Sequence, residues 1–66
     1  MKNKVKDERL KQMMNQTEFA EMLNVSRQTI HAIETGKYIP TTLLALKIAK
    51  LLNKEVEELF ILEKND

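Results

Sequence analysis

Cysteine is absent from this sequence, and histidine occurs only once, at His31. Without cysteine the chain forms no disulfide and offers no thiolate to a metal ion. A single histidine does not build a zinc site by itself. We therefore expect no metal and no other cofactor. Stability then has to come from helix packing or from a partner subunit.

Long apolar runs are absent as well. No stretch approaches the roughly 18 apolar residues that a membrane span needs. The first twelve residues, MKNKVKDERLKQ, are basic, but no apolar segment follows them, so they do not form a signal peptide. A single domain over residues 1–66, located in the cytoplasm, is the expectation.

Charge is nearly balanced over the chain, with a net charge of +1, but it is unevenly distributed. Residues 1–12 carry five basic and two acidic side chains, whereas residues 53–66 carry two basic and five acidic ones. The small net charge is a weak electrostatic signature for a protein that binds nucleic acid. If DNA is the partner, the acidic end is expected to face away from the phosphates.

Glycine and proline occur once each, and Gly36 and Pro40 fall in one short segment that predicts a loop. Elsewhere the scarcity of alternating β-branched residues favours helices. Asn15 with Glu18 resembles a capping box, and Ser26 is a good N-cap. The sequence predicts an all-α fold, a compact bundle of five helices. Their expected ranges are 4–13, 16–23, 27–35, 42–52 and 55–60.

Apolar residues suggest where the helices pack. The fourth helix is apolar nearly all round, so we expect it to be central or partly covered by another subunit. Met13, Met14 and Met22 are interpreted as core or loop packing. Four consecutive apolar residues near the end of the chain are expected to complete the core in part and to form a homodimer interface. These residues are Leu59, Phe60, Ile61 and Leu62.

The third predicted helix separates an apolar face from a polar one. At 100° per residue, Ile30 and Ile33 lie side by side and define the buried face. The exposed side carries Arg27, Gln28, His31 and Ala32. Arginine can bond bidentately to guanine and glutamine to adenine, and a small alanine can touch a thymine methyl group. We therefore predict that this face contacts DNA bases.

The segment from Gln16 to Glu34 resembles the helix-turn-helix of the Cro/C1-type family, also called the XRE family. The pattern of that family begins with a glutamine, which is followed four residues later by an alanine and four residues after that by a turn residue. An isoleucine follows six residues after the turn residue, and a second isoleucine three residues after the first. The matching residues are Gln16, Ala20, Asn24, Ile30 and Ile33, with asparagine in place of the usual glycine. The segments 36–40 (GKYIP), 46–52 (LKIAKLL) and 57–60 (EELF) also match. The resemblance covers about residues 5–60. Within the family, the sequence resembles the short single-domain bacterial repressors.

This resemblance implies a lambda repressor-like fold, with a helix-turn-helix at about 16–35 and a small antiparallel sheet between residues 1–5 and 61–64. It implies base contacts from the exposed face of the third helix. It implies phosphate contacts from Asn15, Gln16, Ser26, Thr29, Thr35 and Lys37. It also implies a buried ion pair between Arg9 and Glu34. The sequence departs from the family at Glu8, where an apolar residue is usual, and at Met13, where glycine is usual.

These features predict a sequence-specific transcriptional regulator, a repressor that binds double-stranded DNA at an inverted repeat as a homodimer. Two alternatives stay open: an antitoxin on the same fold, and a protein-interaction module that has lost DNA binding. An enzyme is not expected, because the sequence has no nucleophile–base pair, no paired carboxylates in a plausible cleft and no phosphate loop. Neither a membrane nor a small-molecule ligand is expected as a partner.

Overall fold

Five helices and one small sheet make up the molecule. The computed structural model describes every residue from Met1 to Asp66. The helices are α1 (Val5–Lys11), α2 (Gln16–Leu23), α3 (Arg27–Glu34), α4 (Thr42–Leu52) and α5 (Val56–Leu59). Strands β1 (Lys2–Asn3) and β2 (Phe60–Ile61) pair antiparallel. The predicted five-helix fold with a small terminal sheet is confirmed.

Polar side chains define where the helices begin. Asn15 Oδ1 accepts a hydrogen bond from the backbone amide of Glu18 at 2.8 Å. The Glu18 carboxylate in turn accepts one from the backbone amide of Asn15 at 3.0 Å. This is the capping box that the sequence predicts before α2. Ser26 Oγ caps α3 at 3.1 Å from the Thr29 amide, and Thr41 caps α4 in the same way. These bonds satisfy amides that have no partner inside the helix.

Four helices end at a residue with left-handed backbone conformation. These residues are Met13, Asn24, Gly36 and Asn53. At the end of α3, for example, the Gly36 amide donates to the Ile33 carbonyl and the Lys37 amide to the Ala32 carbonyl, which is the Schellman arrangement. The same turn at Met13 ends α1 at Lys11, two residues earlier than predicted. Met13 is the one member of the group that is neither glycine nor asparagine, the residues that adopt this conformation readily.

The core is one cluster of twelve buried apolar residues, supplied by all five helices and β2. Helix α4 contributes four of them, Leu44, Ile48, Ala49 and Leu52. The prediction that α4 is central therefore agrees with the structure on this side of the helix. On the other side Leu43 and Leu46 remain 64% and 55% exposed, so the chain itself does not cover that side. The alternative that part of α4 meets another subunit stays a prediction. None of the helices has the length and apolar character required to cross a membrane.

The apolar segment near the C-terminus is divided between the core and the surface. Leu59 and Phe60 belong to the core, with only 0% and 9% of their surface exposed. The prediction that Leu59 faces a second subunit is therefore wrong, because its surface is already covered by the chain itself. Ile61 is half-buried and Leu62 is exposed. Helix α5 ends one residue earlier than predicted, because Phe60 pairs with Asn3 in the sheet.

Two of the three methionines assigned to packing are also exposed. Met14 packs against the core. Met13 and Met22 expose most of their side chains, 90% and 62% of the residue surface. The prediction of a packing role is wrong for both, because Met13 occupies an open turn and Met22 lies on the solvent side of α2.

The terminal sheet is shorter than predicted and is accompanied by an ionic contact. Only two residues of each strand pair, because α1 already begins at Val5. The Met1 ammonium group lies 3.1 Å from carboxylate oxygens of both Glu63 and Asp66. The hydrogen bond to Glu63, followed by that to Asp66, raises the pKa of the ammonium. The hydrogen bond from the Glu63 amide, followed by that from the ammonium, lowers the pKa of Asp66.

Candidate nucleic-acid interface

Helices α2 and α3 form a helix-turn-helix. Each helix has eight residues, and the turn between them is the three-residue segment 24–26. The turn forms because Asn24 ends α2 in the left-handed conformation and Ser26 begins α3 as its N-cap. Ile30 and Ile33 hold α3 against the core, and both are 0% exposed. The local sequence thus fixes both the position of the turn and the face of α3 that is buried.

The opposite face of α3 carries the residues that the sequence analysis assigned to base contacts. Arg27, Gln28 and His31 are exposed, and Ala32 is half-buried on the same side. Arg27 takes no part in the ion pairs of the structure. The outer face of α3 is therefore polar, and its arginine forms no ion pair within the chain.

A buried ion pair ties α1 to α3. Arg9 Nε lies 2.7 Å from Glu34 Oε2, and a second guanidinium nitrogen lies 3.1 Å from Oε1, so the contact is bidentate. The side chains are only 5% and 2% exposed. Arg9 also donates to the Met14 carbonyl at 2.8 Å, which fixes the loop between α1 and α2. The structure thus forms the pair that the family resemblance implies, and each nitrogen of the Arg9 guanidinium donates one hydrogen bond.

Gln16 joins this buried pair to the surface. Its Nε2 donates to Glu34 Oε1 at 3.0 Å. Because a carboxylate only accepts hydrogen bonds, this contact fixes which end of the Gln16 amide faces Glu34. One N–H of the amide is used in this way, and the other is available for an external acceptor. The sequence gives no signal for this contact, since it depends on how α2 and α3 cross.

Most of the other residues assigned to phosphate contacts already have partners within the chain. Ser26 and Thr29 share a hydrogen bond of 2.9 Å between their hydroxyl groups, and the Thr35 hydroxyl donates to the His31 carbonyl at 2.9 Å. Asn15 caps α2. Lys37 is different: it is exposed and forms no ion pair. Of the six residues assigned to phosphate contacts, Gln16 and Lys37 therefore have the most hydrogen-bond donors available for an external partner.

No cluster of three or more histidine, aspartate and glutamate side chains is placed to hold a metal ion. The geometry instead combines a rigid two-helix unit, an exposed polar helix face and helix N-termini with unpaired amides. Such N-termini attract anionic groups, including the phosphates of nucleic acid. This is the arrangement by which helix-turn-helix proteins place a second helix in the major groove.

Comparison with known families gives the same result. The family model described as "Helix-turn-helix" matches residues 5–59. The chain belongs to the XRE-type helix-turn-helix family. This family binds DNA and is not enzymatic, which confirms the resemblance found in the sequence and the prediction that the protein is not an enzyme.

Several relatives cover all or most of the chain. One is an uncharacterized HTH-type transcriptional regulator of Bacillus subtilis, YgzD, which is 46% identical over 66 residues with both chains fully covered. A second, from Methanocaldococcus jannaschii, carries the same description and is 48% identical over the full length of both chains. A third is the ImmF control region 10 kDa protein of Bacillus phage phi105. It is 37% identical over 59 residues, covering 89% of this chain and 66% of the phage protein.

Proposed function

We propose that this protein is a sequence-specific transcriptional repressor that binds an inverted-repeat operator as a homodimer. The observation that carries the proposal is the division of α3 into two faces. Ile30 and Ile33 are completely buried, so the orientation of α3 is fixed, and Arg27, Gln28 and His31 consequently project outward. The names of the relatives, which include transcriptional regulators and a phage control-region protein, support a role in regulation.

In this proposal α3 lies in the major groove of DNA. Arg27 donates two hydrogen bonds to a guanine, Gln28 pairs with an adenine, and Ala32 approaches a thymine methyl group. His31 lies beside them. Gln16 and Lys37 bind phosphates on either side of the groove and thereby position the helix. Ser26, Thr29, Asn15 and Thr35 support these contacts mainly by shaping the ends of α2 and α3.

The deciding experiment is selection of bound DNA from a random pool at near-physiological salt. An enriched inverted repeat with half-sites about one helical turn, roughly 34–36 Å, apart is the expected result. Such a repeat would demonstrate specificity, dimeric binding and spacing together. If the folded protein enriches no sequence, the repressor proposal is wrong, and a protein-interaction or antitoxin role becomes the better explanation.

Two variants test the orientation of α3 on the selected DNA. Arg27→Ala should weaken binding by about 1–3 kcal/mol and relax the preference at one base position. Lys37→Ala should weaken binding to all sequences similarly and reduce the salt dependence by about one counterion. Both residues are exposed, so neither change should alter folding. An Arg27→Ala protein with unchanged base preference would show that α3 is oriented differently.

The homodimer interface is proposed to lie in an apolar groove rather than on Leu59. This α4–α5 groove has a volume of about 200 Å³, and its apolar lining includes Ile39, Pro40, Ala45, Leu46, Val56 and Phe60. It is continuous with the C-terminal segment in which the sequence predicted an interface. Ile39 and Leu46 are 63% and 55% exposed. Apolar side chains that are exposed together in one groove often mark a site of protein–protein contact. A second copy, related by two-fold symmetry, would cover the same groove on both protomers.

Helix α4 offers a matched pair of variants for this interface. Leu46 lines the α4–α5 groove, whereas Leu43 lines a different groove beside Val25 and Thr29. The two leucines have similar exposure on the same helix. Leu46→Lys should shift the protein to monomers in sedimentation equilibrium and weaken binding to the full inverted repeat, and Leu43→Lys should leave the dimer intact. Equal effects of the two substitutions would place the interface elsewhere.

A further inference from the structure

Asn3, in the short strand β1, links the terminal sheet to the end of α3. Its Nδ2 donates a hydrogen bond of 2.9 Å to the carbonyl oxygen of Ile33, thirty residues away. Its Oδ1 accepts a bond of 3.2 Å from the Val5 amide at the start of α1. The two halves of one carboxamide therefore have separate tasks. One half shapes the start of α1, and the other holds α3.

The carbonyl that Asn3 holds belongs to the turn leading to Lys37. The Ile33 oxygen also accepts a bond from the Gly36 amide at 3.0 Å. The amides of Lys37 and Tyr38 donate to the neighbouring Ala32 oxygen at 2.9 and 3.1 Å. Gly36 has a φ of +79°, so the chain reverses sharply at this point. The direction in which Lys37 leaves α3 is consequently set by two carbonyl groups, one of which Asn3 fixes.

Asn3 is itself held from the other side. It lies opposite Phe60 in the β1–β2 sheet, and Phe60 lines the α4–α5 groove. A continuous series of contacts thus runs from the groove, through Phe60 and Asn3, to the last turn of α3. A backbone carbonyl held by a side chain from a different element resists the fraying that is usual at helix ends.

We propose that Asn3 is a positioning residue of the DNA interface, which holds the end of α3 so that Lys37 meets its phosphate. This inference rests on the proposed function. It assigns to the terminal sheet a task beyond closing the fold, since the sheet fixes Asn3 and Asn3 fixes the turn after α3.

The two tasks of Asn3 can be separated by substitution. Asn3→Asp keeps the oxygen that accepts from Val5 but removes the donor to Ile33. Asn3→Ser is the neutral counterpart, because a serine hydroxyl can still accept a local bond but is too short to reach Ile33. Asn65→Asp, at an exposed position, adds the same negative charge as Asn3→Asp without touching α3.

The expected result is a threefold to tenfold loss of affinity for the selected operator with both Asn3 variants, at a temperature where all proteins are folded. This range corresponds to about 0.7–1.4 kcal/mol, the contribution of one hydrogen bond. Asn65→Asp should retain the affinity of the parent protein. Amide hydrogen exchange at Lys37 and Tyr38 should accelerate in the Asn3 variants, while exchange in α4 should remain unchanged.

A double-substitution cycle distinguishes positioning from general support of the fold. Lys37→Ala should cost less affinity in the Asn3→Ser background than in the parent, whereas Arg27→Ala should cost the same in both. Additive effects with both partners would overturn the inference, as would full affinity in both Asn3 variants. Failure of the parent protein to select any DNA would instead overturn the proposed function and, with it, this inference.

Discussion

Helices α1 and α4 pack on the same core but are held there by different forces. Helix α4 places four apolar side chains in the core, among them Ile48 and Leu52, which are essentially inaccessible to solvent. Helix α1 buries one apolar side chain, Val5, and one charged side chain, Arg9. Burial of apolar surface thus holds α4 in place, whereas hydrogen bonds largely hold α1 in place.

Three polar contacts of the N-terminal region reach across to distant parts of the chain. Asn3 donates to the Ile33 carbonyl, Arg9 binds Glu34, and Gln12 Nε2 donates to the Leu52 carbonyl at 3.1 Å. Apolar burial has no direction, whereas each of these bonds specifies a distance and an angle. A helix of seven residues can therefore be placed accurately with little buried area, but its position then depends on a few particular atoms.

The largest expected effect comes from breaking the ion pair on the α1 side. Glu34→Leu leaves the Arg9 charge buried without a partner and should destabilise the protein by about 3–5 kcal/mol, measured by urea unfolding. In a domain of this size such a loss approaches the total free energy of unfolding, so a variant that is unfolded at room temperature also agrees with the prediction.

The double variant Arg9→Met with Glu34→Leu is the control for that experiment. It removes both charges and leaves apolar side chains of suitable length, so most of the lost stability should return. A double variant as unstable as Glu34→Leu alone would show that the shape of the pair, and not its charge balance, supports α1.

A smaller effect is expected from truncating the core on the α4 side. Ile48→Ala removes buried methyl and methylene groups and should destabilise the protein by about 3 kcal/mol in the same urea experiment. No rescue by a second substitution is expected, because the loss comes from a cavity rather than from an unpaired group.

The two sides should differ in function as well as in stability. Ile48 is completely buried and cannot touch DNA, so folded Ile48→Ala should bind operator DNA with the affinity of the parent. Glu34 also holds Gln16, and Glu34→Gln leaves one acceptor oxygen for both Gln16 and Arg9. This milder change should therefore weaken binding even where the protein is fully folded. Equal affinities for these two variants would contradict the role given to the Glu34–Gln16 contact.

The same contrast explains which parts of the structure could be predicted from the sequence. The bounds of α2, α3 and α4 were predictable, because caps such as Asn15 and Ser26 and the positions of Ile30 and Ile33 are local signals. The outer face of α3 followed from the same periodicity. The bonds of Asn3, Gln12 and Gln16 were not predictable, since each depends on which carbonyl or carboxylate the tertiary fold brings within reach.

The errors of the sequence analysis have a related physical cause. Leu59 was assigned to a second subunit because four consecutive apolar residues do not reveal which of them the chain itself covers. For α4 the sequence left open whether the chain itself or another subunit covers its outer side. Leu43 and Leu46 are exposed because a chain of this size has too little material to cover every side of a central helix. In both cases the missing information was the amount of surface available for burial.

The smallest effect expected is a gain of stability at the end of α1. Met13 has a φ of +58° and is 90% exposed, so it bears the cost of a left-handed conformation without the benefit of burial. That conformation costs a residue with a side chain about 1–2 kcal/mol, part of which glycine forfeits through its greater freedom in the unfolded chain. Met13→Gly should therefore stabilise the protein by about 0.5–1 kcal/mol, seen as a rise in Tm of about 4 °C.

Met22→Gly makes the same chemical change at another exposed methionine, but inside α2, and should destabilise the protein by about 1 kcal/mol. Opposite signs would show that backbone conformation, not the loss of the methionine side chain, decides the result. If both substitutions were destabilising, the exposed side chain of Met13 would have to make a contact that offsets the cost of its backbone, and the α1–α2 turn would then need to be tested as part of an interface.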